Sequence, residues 1–330
     1  MALYIKYIII AVILIIAELI YFRIALHYGI VDKPNLRSSH KKVTILGGGV
    51  IFPIAMGLWI LFFGVHDPWF LLGLALASLI SFADDLWSVP NKVRLFIQFL
   101  ALFMIIHDFG LLIVDSWWLV LIIWIIGVGI INAYNFMDGI NGMTGGYSLA
   151  VILPLIVMYY KVGQNLSMLI VMAISLLVFC FFNYRTKARC FAGDVGAVSM
   201  AFLVVFTLGW LLLKTEDVTY ILFVAIYGVD TVLTIVHRIM LNERLGKAHR
   251  KHMYQIMANE LKIPHVVVSS IYMLVQLLIS AGLIWLPVNH YVYAIVVLLV
   301  LAIIYIVFMK KYYHLHEEYL MSVAEKQNDN

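Results

Sequence analysis

Charge is scarce in this chain. Asp, Glu, Lys and Arg make up 12% of its 330 residues against 64% hydrophobic, and the mean hydropathy is +1.01. That shortage excludes a soluble domain held by one anchor and points to a polytopic membrane protein. No long polar block is left over from which a second domain could be built, so 1–330 reads as a single integral-membrane domain. Cysteine is nearly absent too. Cys180 and Cys190 lack C-x-x-C spacing, so neither a disulfide framework nor a zinc site is suggested, and both read as packing residues. No internal repeat supports the inverted symmetry of a transporter. No small-residue cleavage site follows the first apolar segment, 3–26, which therefore reads as a retained helix rather than a signal peptide.

What the chain does contain is a succession of apolar runs, at 3–26, 46–65, 69–83, 95–112, 117–133, 147–160, 166–182, 197–213, 218–236, 266–286 and 291–309. Each is near the ~20 residues that a bilayer-spanning helix needs, some being short. The expected fold is an all-α membrane bundle of about eleven transmembrane helices. Of the 22 Lys and Arg, 18 fall in the loops 27–45, 84–94, 184–195 and 237–265 and in the tail 310–330. The positive-inside rule puts those segments in the cytoplasm, with the N-terminus outside and the C-terminus inside. The loop 132–146 then falls on the cytoplasmic side.

That loop, N-A-Y-N-F-M-D-G-I-N-G-M-T-G-G, is the centre of the polar chemistry. It reads as irregular backbone facing water, because free N–H and C=O groups cost several kcal/mol each in hydrocarbon. Asn135, Asp138 and Asn141 recur every three residues, which on a helical turn gathers three polar heads near one face. Gly139, Gly142, Gly145 and Gly146 clear space for a bulky ligand to approach the backbone. A plain turn between two membrane helices is the alternative.

Further acidic groups fall on the same side. Asp84 and Asp85 close the third run, and two adjacent carboxylates there repel unless a cation or donors relieve them; a solvated helix end is the blander account. Lys92 and Arg94 follow and could hold phosphate oxygens, although the positive-inside bias accounts for them as well. In C-F-A-G-D-V-G-A, at 190–197, Asp194 stands between glycines at a helix start, a setting that favours a metal-bound diphosphate. Phe191 is placed to stack on a base or to serve as an interfacial anchor. In A-H-R-K-H-M-Y-Q, His249 and His252 are three apart, but the intervening Arg250 and Lys251 repel a metal and suit a phosphate. Asp230, inside the ninth run, is expected to face the bundle interior. Hard oxygen ligands beside basic residues imply magnesium, manganese being a possible substitute, and phosphoryl-group transfer at the membrane surface. A lipid phosphate and a water-soluble nucleotide are the substrates that such a position suits.

These residues also resemble a known family, the polyprenyl-phosphate N-acetylhexosamine-1-phosphate transferases, relatives of phospho-MurNAc-pentapeptide transferase. The resemblance runs through D-K-P-N-L-R-S-S-H…L-G-G-G at 32–49, Asp84–Asp85, N-A-Y-N-F-M-D-G-I-N-G, F-A-G-D-V-G and H-R-K-H, in the family's order. It looks closest to the branch that initiates O-antigen or capsule-type glycans. The family implies transfer of sugar-1-phosphate from a UDP-N-acetylhexosamine to undecaprenyl phosphate, with UMP released. It also implies a multi-pass protein of the bacterial inner membrane, commonly a homodimer. Carried over residue by residue, Asp194 would be the principal magnesium ligand. Asp84 and Asp85 would position or deprotonate the lipid phosphate, with Asp138 in support. Phe191 would stack on uracil, and His249 and His252 would contact phosphates or sugar. Asn183 and Arg250 are further expected substrate contacts. Two positions depart from the family pattern. Asn141 stands where relatives usually have a second Asp; its amide oxygen could accept from uracil N3–H while its NH2 donates to a ring carbonyl. Ala197 stands where relatives usually have Ser. A transporter or flippase for nucleotide sugars or lipid-linked sugars is the rival class, because intramembrane acids mark transport pathways.

Overall fold

The computed structural model describes residues 2–34, 39, 42–113, 117–246 and 249–328. Part of the 32–49 motif, namely 35–38, 40 and 41, therefore lies outside the described residues, as do 247 and 248 at the head of the histidine loop. Twelve α-helices are described: α1 (Leu3–Tyr28), α2 (Ile51–Phe63), α3 (Pro68–Trp87), α4 (Asn91–Asp108), α5 (Trp117–Met137), α6 (Met143–Lys161), α7 (Ser167–Asn183), α8 (Gly193–Thr215), α9 (Ala225–Met240), α10 (Met253–Asn259), α11 (His265–Trp285) and α12 (His290–Asn328). Every expected apolar run is helical, with a 3-10 stretch, Val218–Val224, leading into α9. Eight of the described helices are long and apolar enough to cross a membrane, 48–63 and 167–183 being shorter apolar helices. The expected membrane bundle is thus the observed architecture.

Burial sorts the helices into an inner and an outer set. In α8, 78% of the central window is buried inside the protein, and in α6 72%, whereas in α12 the figure is 17%. The outer surface of α12 presents Val292, Ile295, Val296, Leu299, Ile303, Ile306 and Val307. A continuous apolar face of this kind is a lipid-facing surface once the chain is read as spanning a bilayer. Polar side chains inside the bundle pair with one another. Tyr147 of α6 stacks on Tyr227 of α9 with ring centroids 3.5 Å apart, and its hydroxyl donates to Gln276 of α11 at 2.8 Å. The Tyr227 hydroxyl returns to the Met143 carbonyl at 3.1 Å. Three helices are thereby tied in a medium that offers no water to unpaired groups.

One end of the bundle is built differently. A two-residue antiparallel ladder joins β1 (Val31–Asp32) to β2 (Thr44–Ile45). The segment after β2 then lies along the segment before α8: the Phe191 amide donates to Ile45, and the Gly48 and Gly49 amides donate to Phe191 and Ala192, at 2.8–3.0 Å. Gly49 meets Gly196 of α8 backbone to backbone, and a Cβ on either would strike the other residue's Cα. Two side-chain-free residues are what permit that approach.

Two expectations about loops need correction. The loop 132–146 was expected to be irregular, with its three polar residues on one helical face. Instead α5 runs through Met137 and α6 begins at Met143, so Asn135 sits on the last turn of α5, Asp138 just beyond it, and Asn141 in the intervening turn. The polar residues at a helix end keep their backbone bonds, so membrane-length helices can run into a hydrophilic stretch. The tail beyond 310 likewise continues α12 to Asn328.

Gly196→Ala is expected to force the Gly49 contact apart and lower the heat-unfolding midpoint in detergent, by the equivalent of about 1–3 kcal/mol. Gly57→Ala, where an added Cβ meets no atom within 4 Å, should leave the midpoint unchanged.

Candidate active site

A cleft of about 440 Å³ opens at this end, lined among others by Asp84, Asp85, Asn135, Asp138, Asn141, Asn183, Phe191 and Asp194. Residues from α3, α5, α7 and α8 and from the turns between helices therefore meet in one place, as the motifs imply. Asp85 is the structural hinge of the group. Its Oδ1 accepts from the Asp194 amide at 2.8 Å and its Oδ2 from the Val195 amide at 3.0 Å. Those are first-turn donors of α8, without partners inside the helix, and the carboxylate also meets the positive end of the helix dipole. Gly193, at φ +71°, makes the turn that aims these amides; a side chain there would collide with Asp85. Asp85 lines the cleft, and each of its oxygens also holds the start of α8, so it fixes the position of Asp194.

Asp84 faces the other way. It accepts from the Val89 amide at 2.6 Å and is ion-paired with Arg94 of α4. The same Arg94 nitrogen lies 2.9 Å from Asp194. One guanidinium thus bridges two carboxylates that stand on different helices. Asp138 accepts from the Thr144 hydroxyl at 2.6 Å. Burial pushes the Asp138 carboxyl up to about 7, the Thr144 bond pulling back and the Asp194 charge pushing further.

Asn183 and Asn141 prove to be braces as well as lining. Asn183, buried, accepts from the Gly142 amide at 2.8 Å and donates to the Cys190 carbonyl at 2.9 Å, tying the α5–α6 turn to the strand before α8. The Asn141 NH2 donates to the Arg185 and Thr186 carbonyls at 2.9 and 3.3 Å. The expectation that this NH2 would donate to a ring carbonyl is corrected: it is spent within the protein.

A second cleft, also about 440 Å³, adjoins the first and is lined among others by Asn91, Arg94, Leu95, Phe136, His249 and His252. Asn135 and Gln255 line both. The His249 and His252 rings lie 5.1 Å apart. Burial, then the neighbouring His252 and Arg238, pull His249 down to about 3, so its ring stays neutral across the physiological range. Arg250 does not join them. Its guanidinium donates to Glu260 at 2.9 Å and lies over the Tyr319 ring at 4.2 Å, and Glu260 also meets His316 at 2.9 Å. The expected substrate contact is a clasp between the histidine loop and α12. Lys92 is exposed and lines neither cleft.

Sequence reasoning passed over Gln255 and His265. Gln255 closes a capping box on α10, its side chain accepting from the His252 amide at 3.2 Å. The H-x-x-Q spacing of 252–255 carries that signal, because a Gln three residues past a cap reaches back to it. His265 starts α11 after Pro264 and sits 3.5 Å from the Asn141 amide; a lone His beside a Pro carries no comparable signal.

The fold and the site define a polytopic membrane protein with an acid-lined, Arg-bridged cleft at one end of its bundle. Residues 68–213 match the model of glycosyl transferase family 4. The chain is 26% identical to a probable undecaprenyl-phosphate N-acetylglucosaminyl 1-phosphate transferase of Bacillus subtilis, over 70% of each chain. It is 27% identical to an undecaprenyl-phosphate alpha-N-acetylglucosaminyl 1-phosphate transferase of Yersinia pestis, over 71% of each. A phospho-N-acetylmuramoyl-pentapeptide-transferase of Dictyoglomus thermophilum is 31% identical over 49% of this chain and 58% of its own length. These relatives are of the kind that the chain's motifs resemble, the polyprenyl-phosphate N-acetylhexosamine-1-phosphate transferases.

Asp138 gives the site a pH signature. A carboxyl whose folded value is raised holds its proton more tightly folded than unfolded, so stability is lost as pH rises from about 4 through 7. In metal-free protein the unfolding midpoint should fall over that window, and Asp138→Asn should make the fall shallower; an equal slope in both proteins would contradict the placement.

Proposed function

We propose that the chain transfers N-acetylhexosamine-1-phosphate from a UDP-sugar to undecaprenyl phosphate, forming a lipid diphosphate sugar and UMP at the cytoplasmic face of a bacterial inner membrane. The observation that carries this reading is the pair of joined clefts. One is acidic and reaches Phe191, and the other mixes apolar side chains with amides and imidazoles, with Arg94 at their boundary. Phosphoryl transfer needs little covalent chemistry from a protein but much positioning and charge neutralisation. The named relatives carry out transfer to undecaprenyl phosphate, as their names state.

The roles follow from the contacts. The first cleft takes the nucleotide, with Phe191 against the base and the Asn141 amide oxygen within the same wall. The second takes the acceptor phosphate between Arg94, His249 and His252, its lipid chain leaving past Leu95 and Phe136. Hard carboxylate oxygens on Asp194, Asp84 and Asp138 suit magnesium. The guanidinium set between Asp84 and Asp194 supports that reading, because it is positive charge held between two carboxylates. Magnesium bound by Asp194 would neutralise the donor diphosphate. The planar fork of Arg94 is suited to phosphate oxygens at the boundary of the two clefts. The acceptor phosphate is largely ionised near neutral pH and attacks the sugar-side phosphorus directly, with little need of Asp84 as a base. UMP leaves, and Asp85 and Asn183 keep the walls fixed throughout. The positively charged loops at this end put it in the cytoplasm, and pairing of two copies in the bilayer belongs to the same reading. A transporter would want its acids near the midplane, whereas these carboxylates gather at one end of the helices.

Purified protein in detergent, given undecaprenyl phosphate, magnesium and a panel of UDP-N-acetylhexosamines, is expected to release UMP with one donor preferred. Asp194→Asn should lower the rate about a hundredfold or more. UMP formed without lipid acceptor, or UDP-sugar/UMP exchange in its absence, would replace direct attack by a covalent aspartyl intermediate.

A further inference from the structure

Asp230 is a carboxylate that the reaction outlined above does not use. It lies on α9 and is 3% exposed. Its Oδ2 accepts from the Tyr272 hydroxyl of α11 at 2.7 Å. Its Oδ1 accepts from the Met253 amide at 3.1 Å and from the Thr234 hydroxyl at 3.2 Å, and it meets His252 Nδ1 at 3.3 Å. An ionised carboxylate only accepts, so the imidazole nitrogen facing it must carry the proton. Met253 is the first residue of α10. The carboxylate therefore fixes the helix start and the ring just before it together.

The other ring nitrogen is the informative one. His252 Nε2 is buried and has no hydrogen-bond partner among the described residues. A buried polar atom left unpaired is costly, and the cost is removed where a ligand completes the bond. His252 lines the second cleft with Arg94, Asn135 and His249. Its ring is held by Asp230 on one side and packs against Phe136, whose centroid is 6.0 Å away, while Gln255 holds its backbone amide.

We infer that Asp230 is a positioning residue for the transfer reaction: it holds the proton on Nδ1 of His252 so that Nε2 faces the acceptor phosphate cleft, with Tyr272 holding the carboxylate in register. Such an outer partner sets both the tautomer and the direction of an imidazole, and removing one typically changes activity about 10–100-fold. The inference rests on the proposed function for its kinetic part but not for its tautomer. Asparagine at 230 keeps the size of the side chain but can turn its NH2 toward the ring, which favours the wrong tautomer.

The test joins a double-mutant cycle to nitrogen NMR. Asp230→Asn is expected to lower kcat about 10–100-fold while KM for the UDP-sugar changes less than about threefold. In the His252→Gln background the same change should cost nothing further. If Asp230→Asn does not fold, Tyr272→Phe carries the cycle, with an expected loss of about three- to tenfold that also vanishes beside His252→Gln. A loss of equal size with and without His252 would make Asp230 a structural anchor of α10 and overturn the inference. Independently, protein labelled with 15N-histidine and assigned against His252→Gln should show Nε2 as the bare nitrogen at pH 9; a proton on Nε2 there overturns the inference as well. Wild-type protein that turns over no donor would defeat the proposed function, and the NMR result would still decide the placement of Asp230.

Discussion

Everything at the polar end depends on one carboxylate meeting one helix start. Asp85, from the last turn of α3, accepts the Asp194 and Val195 amides. Without it those first-turn amides would lose partners that nothing inside α8 can replace. With it, α3 and α8 are locked end to side, and Asp194 is fixed by its own backbone rather than by side-chain packing. The Gly49–Gly196 contact and the amide ladder from Ile45 to Ala192 secure the same segment from the opposite side. A carboxylate bound through its main chain leaves its side-chain oxygens for other work. In this structure that work is the contact with Arg94.

The second constraint is charge. Asp84, Asp138 and Asp194 line a cleft whose direct cationic partner among the described contacts is Arg94. Burial raises the proton affinity of Asp138, and the Asp194 charge adds to it. The basic residues that looked equally ready are occupied elsewhere. Lys251 pairs with Glu243, which also takes Arg238, and Arg250 pairs with Glu260. The excess of acid over base is therefore confined to the first cleft, and the histidine loop contributes rings rather than free cations to the second.

Much of this was legible in the chain. The apolar runs announced the helices because hydrocarbon length is a strict requirement on sequence, and the Asp-rich motifs announced the cleft because carboxylates beside a membrane need a reason to be there. What spacing could not show was which atoms are already spent. The three-residue rhythm of Asn135, Asp138 and Asn141 suggested one helical face, yet α5 ends at Met137, so the chain leaves the helix between Asn135 and Asp138. Asn141 and Asn183 read as base or sugar contacts because an amide can do either job; the structure turns the Asn141 NH2 and both ends of Asn183 onto backbone. Arg250 read as a phosphate contact because its partner, Glu260, lies ten residues on and across a short helix. Partners at that range are set by tertiary packing, and no local pattern encodes them.

The two clefts share a wall, and the wall is made of side chains that also carry structure. Asn135 ends α5, while Gln255 caps α10 by accepting from His252, the residue that Asp230 fixes from behind. Arg94 stands at the other boundary with Asp84 and Asp194 on its two sides. A shift of α10 would therefore move Gln255 in the first cleft and His252 in the second together. Rigid elements that border two sites at once make the separation between those sites a property of the fold rather than of whatever occupies them. Transfer between two bound phosphates depends on that separation more than on any single acid or base. The buried pairs behind the wall, Asp230 with Tyr272 and Asn183 with Cys190, are what keep it constant.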